Sequence, residues 1–139
     1  MTDAEFLDAF RRAAIGPAEF DHRAHVRTAF LHLRDLPFDE ARSRVSEGLR
    51  RLLAAAKEAG FDPPVGYHET ITVFWLRRVL LAMREDSESA GGDSAAFLEA
   101  HPELLRKHLL LEHYSREHVM NDAARAAWVE PDRKPLPPV

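Results

Sequence analysis

Apolar residues recur along this chain at helical spacing, and the width of the apolar face changes from segment to segment. At the start, Thr2-Asp3-Ala4-Glu5 forms a capping box, in which the Thr2 hydroxyl and the Glu5 carboxylate satisfy backbone donors that a helix start leaves free. Phe6, Leu7, Phe10 and Ala14 follow on one face, and Gly16-Pro17 marks the stop. A second helix opens at Asp21, a good N-cap, carries Val26, Ala29, Phe30 and Leu33, and ends before Pro37. From about Asp39 to Ala59 a longer helix sets Ala41, Val45, Leu49, Leu52, Leu53 and Ala56 in one stripe, with a charged opposite face and Gly60 after its end.

The linker Phe61-Asp62-Pro63-Pro64-Val65-Gly66 cannot be helical. It leads into Tyr67 to Arg84, where Ile71, Val73, Phe74, Trp75, Leu76, Val79, Leu80, Leu81 and Met83 are apolar nearly all round, the pattern of a central helix. A buried strand over Ile71 to Trp75 is the competing reading, because Thr, Ile and Val favour strands, but the apolar stretch runs too far for one strand. Ser87 to Ser94, with Gly91-Gly92, reads as a polar surface loop. Short helices are expected over about Ala95 to Ala100 and from Pro102 to about His113, with further turns at Ser115 to Met120 and Asp122 to Val129. The expected fold is all-α: a single-domain bundle of about five to seven helices over 1–130, then an extended Pro-rich tail over 131–139.

Composition narrows the chemistry. The 139 residues are 45% hydrophobic and 30% charged, enough apolar surface for one core. There is no cysteine, which removes disulfides and thiolate metal sites and leaves histidine, carboxylate or backbone oxygen as the available ligands. No apolar run approaches the ~20 residues of a membrane span. The first ten residues carry Asp3, Glu5 and Asp8 where a signal peptide would be basic and then apolar, so a cytoplasmic location and no membrane partner are expected. The net charge is -4, and Arg11-Arg12, Arg50-Arg51 and Arg77-Arg78 are scattered, so nucleic acid is not an expected partner.

Among the eight histidines, His22 and His25 stand at i and i+3 on the second helix, one face, a spacing that suits chelation. His32 lies two turns further along the same face, too far to share the same ion. His68, at the start of the helix after the linker, can meet the first pair across the core. The helix macrodipole disfavours the imidazolium at His22 and His68, and neutral imidazole is the form that binds metal or acts as a base. Glu69 or Asp21 can add a carboxylate. His68-Glu69 does not begin an HExxH signature, because Thr72 stands where the second histidine belongs. There is also no Gly-rich phosphate loop, no GxSxG elbow, no kinase motif and no His-Asp dipeptide. Beside this stands the plainer reading that Asp21 is a cap, Glu69 a favourable first-turn charge, and the histidines packed residues hydrogen-bonded to backbone carbonyls. His101 and His108 read as surface residues, and His113, Tyr114 and His118 as core or rim.

Phe20-Asp21-His22-Arg23-Ala24-His25, Tyr67-His68-Glu69-Thr70-Ile71-Thr72 and Ala126-Ala127-Trp128-Val129-Glu130-Pro131-Asp132, taken in this order, resemble a family of small bacterial helical proteins of uncharacterised function. The resemblance covers most of the chain and implies a shared pocket without naming its chemistry. Three function classes follow. In the first, His22, His25 and His68 hold a divalent transition metal (Fe, Zn, Cu, Ni or Mn), with Glu69 as base and Tyr67 as hydrogen-bond donor to a small-molecule substrate. In the second, two helix N-termini and neutral histidines bind a small anionic ligand without metal, and Arg23 or Arg27 supplies charge. In the third, the apolar fourth helix completes its burial in a homodimer and the histidines only pack.

Overall fold

A computed structural model describes residues 1–62 and 66–139. Pro63, Pro64 and Val65 lie outside the described residues, so the expectation of a non-helical linker bears only on Phe61, Asp62 and Gly66, which carry no helix. The described residues are all-helical and contain no strand: α1 (Asp3–Arg11), α2 (His22–Asp35), α3 (Phe38–Glu58), α4 (Glu69–Glu85), α5 (Ser87–Ala90), α6 (Ser94–Ala100), α7 (Leu110–His113), α8 (Arg116–Val119) and α9 (Asp122–Ala126), with 3-10 turns at Pro102–Leu105 and Lys107–Leu109. No helix is long and apolar enough to cross a membrane among those residues.

The centre is the packing of α2 on α4, with α3 against both. Helix α1 crosses α2 and α3, α6 lies on α2, and α5 and α9 lie on α4. This explains the pattern of α4: Val73, Phe74, Trp75, Leu76 and Val79 are buried because neighbours surround the helix. The competing strand over Ile71 to Trp75 is not formed; Thr72 instead returns its hydroxyl to the His68 carbonyl at 2.8 Å. Where α1 meets α3, the Phe10 ring fills the place of a side chain, since a Cβ on Gly48 would stand 2.2 Å from it. Only glycine permits that approach.

Caps fix the helix starts. The Thr2 hydroxyl accepts from Glu5 N at 3.1 Å and the Glu5 carboxylate accepts from Thr2 N at 2.8 Å, completing the expected box. Asp3, at the head of α1, ties it to distant segments: its carboxylate accepts from Ser94 N at 2.9 Å and from Arg27 Nη2 at 3.0 Å. The Ser94 hydroxyl donates to the same carboxylate at 2.5 Å.

Several boundaries differ from expectation. Ser87 to Ser94 is not a plain loop, because Asp86 caps a four-residue helix, α5, by accepting from Ser89 N at 3.2 Å. The stretch from Pro102 to His113 is not one helix: the extended backbone at Arg106 (φ -87°, ψ 104°) splits it into two 3-10 turns and α7. Helix α9 stops at Ala126 rather than Val129, where Ala127 is extended. After α9 the chain carries no regular structure and is tied to the body by its polar groups. Tyr114, fully buried, donates to the Val129 carbonyl at 2.6 Å, Ser115 donates to Asp132, and Arg77 donates to the Pro137 carbonyl at 3.0 Å.

Candidate functional site

Two helix starts turn toward the space between α2, α3 and α4. At α2, Asp21 sits in extended backbone and accepts from Ala24 N at 2.9 Å, the cap role expected of it. That places His22 in the first turn and His25 one turn on, with both opening on a shared cavity. At α4 the helix begins at Glu69, two residues after the expected Tyr67. His68 is itself the N-cap, its Nδ1 accepting from Ile71 N at 3.1 Å. Its Nε2–H donates to the Val119 carbonyl at 2.7 Å, so both ring nitrogens are already bonded to backbone.

The space itself is a cavity of about 320 Å³. Thr28 and Ala29 of α2, Val45, Leu49 and Leu52 of α3, and Ile71, Trp75 and Leu76 of α4 form most of its wall, closed by Ile15, Phe20 and Tyr67. Its polar side chains are nearly all engaged. The Thr28 hydroxyl donates to the Ala24 carbonyl at 2.7 Å, Thr72 bonds back within its own helix, and Tyr67 donates to Glu69 at 2.6 Å. His25 differs: among the described residues neither of its ring nitrogens has a hydrogen-bond partner, and its ring stands edge-on to Phe20 at 4.5 Å.

By surface area His25 is exposed, yet protein surrounds it closely; the two descriptions meet because the surface it shows is cavity wall. Depth in the protein, more than contact with water, governs its ionisation. Burial, with the nearby His22, lowers its pKa to about 4, so it is neutral at physiological pH. A second cavity, of about 330 Å³, lies on the other side of His25, Ile71 and Trp75, which border both. His22, His108, Lys107 and Arg116 line it. The His22 ring packs on Trp75 at 4.5 Å and its Nε2–H donates to the Leu104 carbonyl at 2.9 Å. Burial lowers its pKa against the opposing pull of that carbonyl, and burial likewise lowers His68. The expected neutrality is present, with burial rather than the helix dipole as its first cause.

Tyr67 and Glu69 form a clamp. Glu69 accepts from Tyr67 and from Nε and Nη2 of Arg42, at 3.1 and 2.7 Å, while the Arg50 guanidinium stands 4.2 Å over the Tyr67 ring. Burial alone would raise the Glu69 carboxyl, but these hydrogen bonds and the Arg42 and Arg50 charges outweigh it and hold it below the ordinary range. At neutral pH it is an ionised acceptor with its partners in place. Arg42 was not singled out from sequence; its position one turn into α3, opposite the start of α4, emerges only from the fold.

The structure thus brings His25 and His68 to one cavity and His22 and His25 to the next, and does not gather all three. Among the described residues no group of three or more histidine, aspartate or glutamate side chains is placed to hold a metal ion. Arg27 is committed to Asp3, Ser94 and the Met1 carbonyl and is not available to a ligand in either cavity. His101 is no plain surface residue: its Nε2 lies 3.0 Å from Asp86 and its Nδ1 3.4 Å from Glu103. No protein-family model, curated protein or solved structure matches this chain.

Proposed function

We propose that the protein binds one small, largely apolar molecule between α2, α3 and α4, with His25 as its polar contact. The observation that carries this reading is the unpartnered, neutral imidazole of His25 in a cavity whose other polar side chains are engaged. A mostly apolar cavity with a few placed polar groups is the usual form of a small-molecule site. A neutral imidazole offers such a molecule one donor and one acceptor. Held near a pKa of about 4 it is a weak base at neutral pH, so the arrangement favours binding over proton abstraction.

The test compares 1-naphthol with naphthalene, two probes of nearly equal shape that differ by one hydroxyl, with binding followed by heteronuclear NMR. The wild-type chain is expected to hold naphthol more tightly by roughly 2- to 10-fold, the worth of one hydrogen bond. His25→Leu should bind both alike, and Leu53→Trp, which fills the cavity from α3, should bind neither. Absence of saturable binding, or a naphthol preference that survives in His25→Leu, refutes the reading.

A divalent transition metal is the second reading: His22 and His25 border one cavity, though no trio of side chains among the described residues is placed around an ion. Elemental analysis of untagged protein decides it. Near-stoichiometric iron, zinc, copper, nickel or manganese that is lost in His25→Ala would put a metal first; under the apolar-ligand reading the metal content stays far below one equivalent in both proteins.

A further inference from the structure

A third cavity, of about 130 Å³, lies away from both of these, where the ends of α1 and α2 meet the middle of α3, and Phe10, Arg11, His32, Arg44, Glu47 and Arg51 border it. Arg44, Glu47 and Arg51 stand at i, i+3 and i+7, on one face of α3. Arg44 pairs with Glu40 at 3.2 Å, whereas Arg11 and Arg51 have no ion-pair partner among the described residues. Three arginines therefore border a small space, with one acidic residue, Glu47, among them. The inner wall is His32, 4% exposed, whose Nδ1–H donates to the Thr28 carbonyl at 2.7 Å. That bond assigns the ring proton to Nδ1 and leaves Nε2 as an acceptor with no partner among the described residues.

We propose that this cavity is a binding site for a small tetrahedral oxyanion of the sulfate or phosphate type, held by Arg11, Arg44 and Arg51. Converging guanidinium groups repel one another, and a dianion relieves that repulsion while accepting their paired N–H donors. A tetrahedral dianion carries more charge and more acceptor oxygens than a carboxylate, which suits a site bordered by three arginines. The free ion and the terminal group of a phosphomonoester share this chemistry.

The site carries a built-in proton linkage. Arg11 from α1 and Arg44 from α3 oppose a charge on His32, while Asp35 on its own helix and the Thr28 carbonyl favour one; Arg51 and Glu47 border the same cavity. Burial comes first among the causes that hold His32 neutral. A dianion offsets the arginines, so Nε2 can take up a proton and turn from acceptor to donor toward the ion. Anion binding and protonation of His32 then promote each other by the same factor.

Sulfate is the probe of choice, because its charge does not change between about pH 8 and about pH 5.5, so any pH dependence belongs to the protein. Isothermal titration calorimetry should show one sulfate per chain, bound at least ~3-fold more tightly at the lower pH. The NMR titration of the His32 ring should move upward when sulfate is present. Arg11→Gln/Arg51→Gln alters two exposed side chains and should weaken binding at least ~10-fold with an unchanged melting temperature. His32→Gln removes the titratable ring and should give sulfate the same affinity at both pH values. Phenyl phosphate bound more tightly than inorganic phosphate assigns the natural ligand to a phosphomonoester, and the reverse order assigns it to the free ion. Sulfate that does not saturate, or that binds Arg11→Gln/Arg51→Gln as well as wild type, overturns the site; an affinity flat with pH overturns the proton linkage.

Discussion

Tyr67 reaches the wall of the apolar cavity held at its hydroxyl by Glu69 and at its ring by Arg50. Tyr67→Phe removes one hydrogen bond but leaves Arg42 on Glu69, so the expected loss is about 0.5–1.5 kcal/mol in chemical denaturation. A much larger loss would mean that the carboxylate is no longer held by Arg42 alone. Gly48 gives a sharper case: Gly48→Ala drives a methyl into the Phe10 ring and should cost about 1–3 kcal/mol, with much of that recovered in Gly48→Ala/Phe10→Leu. Failure of the double variant to recover would place the strain elsewhere. At this scale the sequence exposed which side chains carry chemistry, because His22 and His25 recur at i, i+3 and Tyr67, His68 and Glu69 adjoin. It could not expose their partners. The Val119 carbonyl that occupies His68 lies 51 residues away, and the Leu104 carbonyl that holds His22 lies 82 residues away.

Helix starts with a good cap were readable almost to the residue, whereas the end of α1 was not: it stops at Arg11, with Ala13 at φ 53°, well before the expected Gly16-Pro17. The capping box of α1, the Asp21 cap of α2 and the apolar stripe of α3 are local features, and locality is what a sequence displays. The segment from Pro102 to His113 was not readable in the same way, because runs of a few residues gain little from propensity and follow the packing of whatever they join. His68 stands between these cases, since imidazole is an unusual cap and nothing in Tyr67-His68-Glu69 announces it. His68→Ala is expected to lose the α4 cap and the bond to Val119 together, about 1–3 kcal/mol by urea unfolding. His68→Asn, which restores a cap but not the second bond, should recover about half of that loss. Equal destabilisation by the two variants would show that the cap contributes nothing.

For the molecule as a whole, the histidines set the response to acid. His22, His25, His32, His68 and His113 all have pKa values below the ordinary 6.5, in each case with burial as the first cause. The unfolded chain therefore takes up protons first. Stability is fully present above about pH 6.5 and declines as the pH falls toward the folded values, which reach about 4 at His25. The lowered carboxyls of Asp3 and Glu69 act in a different window, since they lose their contribution only below their ordinary values of 3.8 and 4.5. A melting temperature that falls between about pH 7 and about pH 5 is thus expected, and one that is flat over that interval contradicts the assigned neutrality of these rings. The all-helical architecture was legible from the sequence because it is a sum of local patterns. The cavities were not, since each is defined by what three or more segments leave unfilled between them.

The bond between Asp3 and Ser94 joins residues separated by 91 positions. On the ribosome, where the chain emerges N-terminus first, α1 can wind early on its own capping box and pack on α2 and α3, but its Asp3 carboxylate cannot bond Ser94 until α6 has been made. Until then the head of α1 lacks its Ser94 partner, although Phe10 already has Gly48 of α3 to pack against. Helix α1 is made before α6 yet is locked at its head only after it, so a reporter at that head, such as the titration of Asp3 in a stalled chain, should switch only after Ser94 has left the exit tunnel.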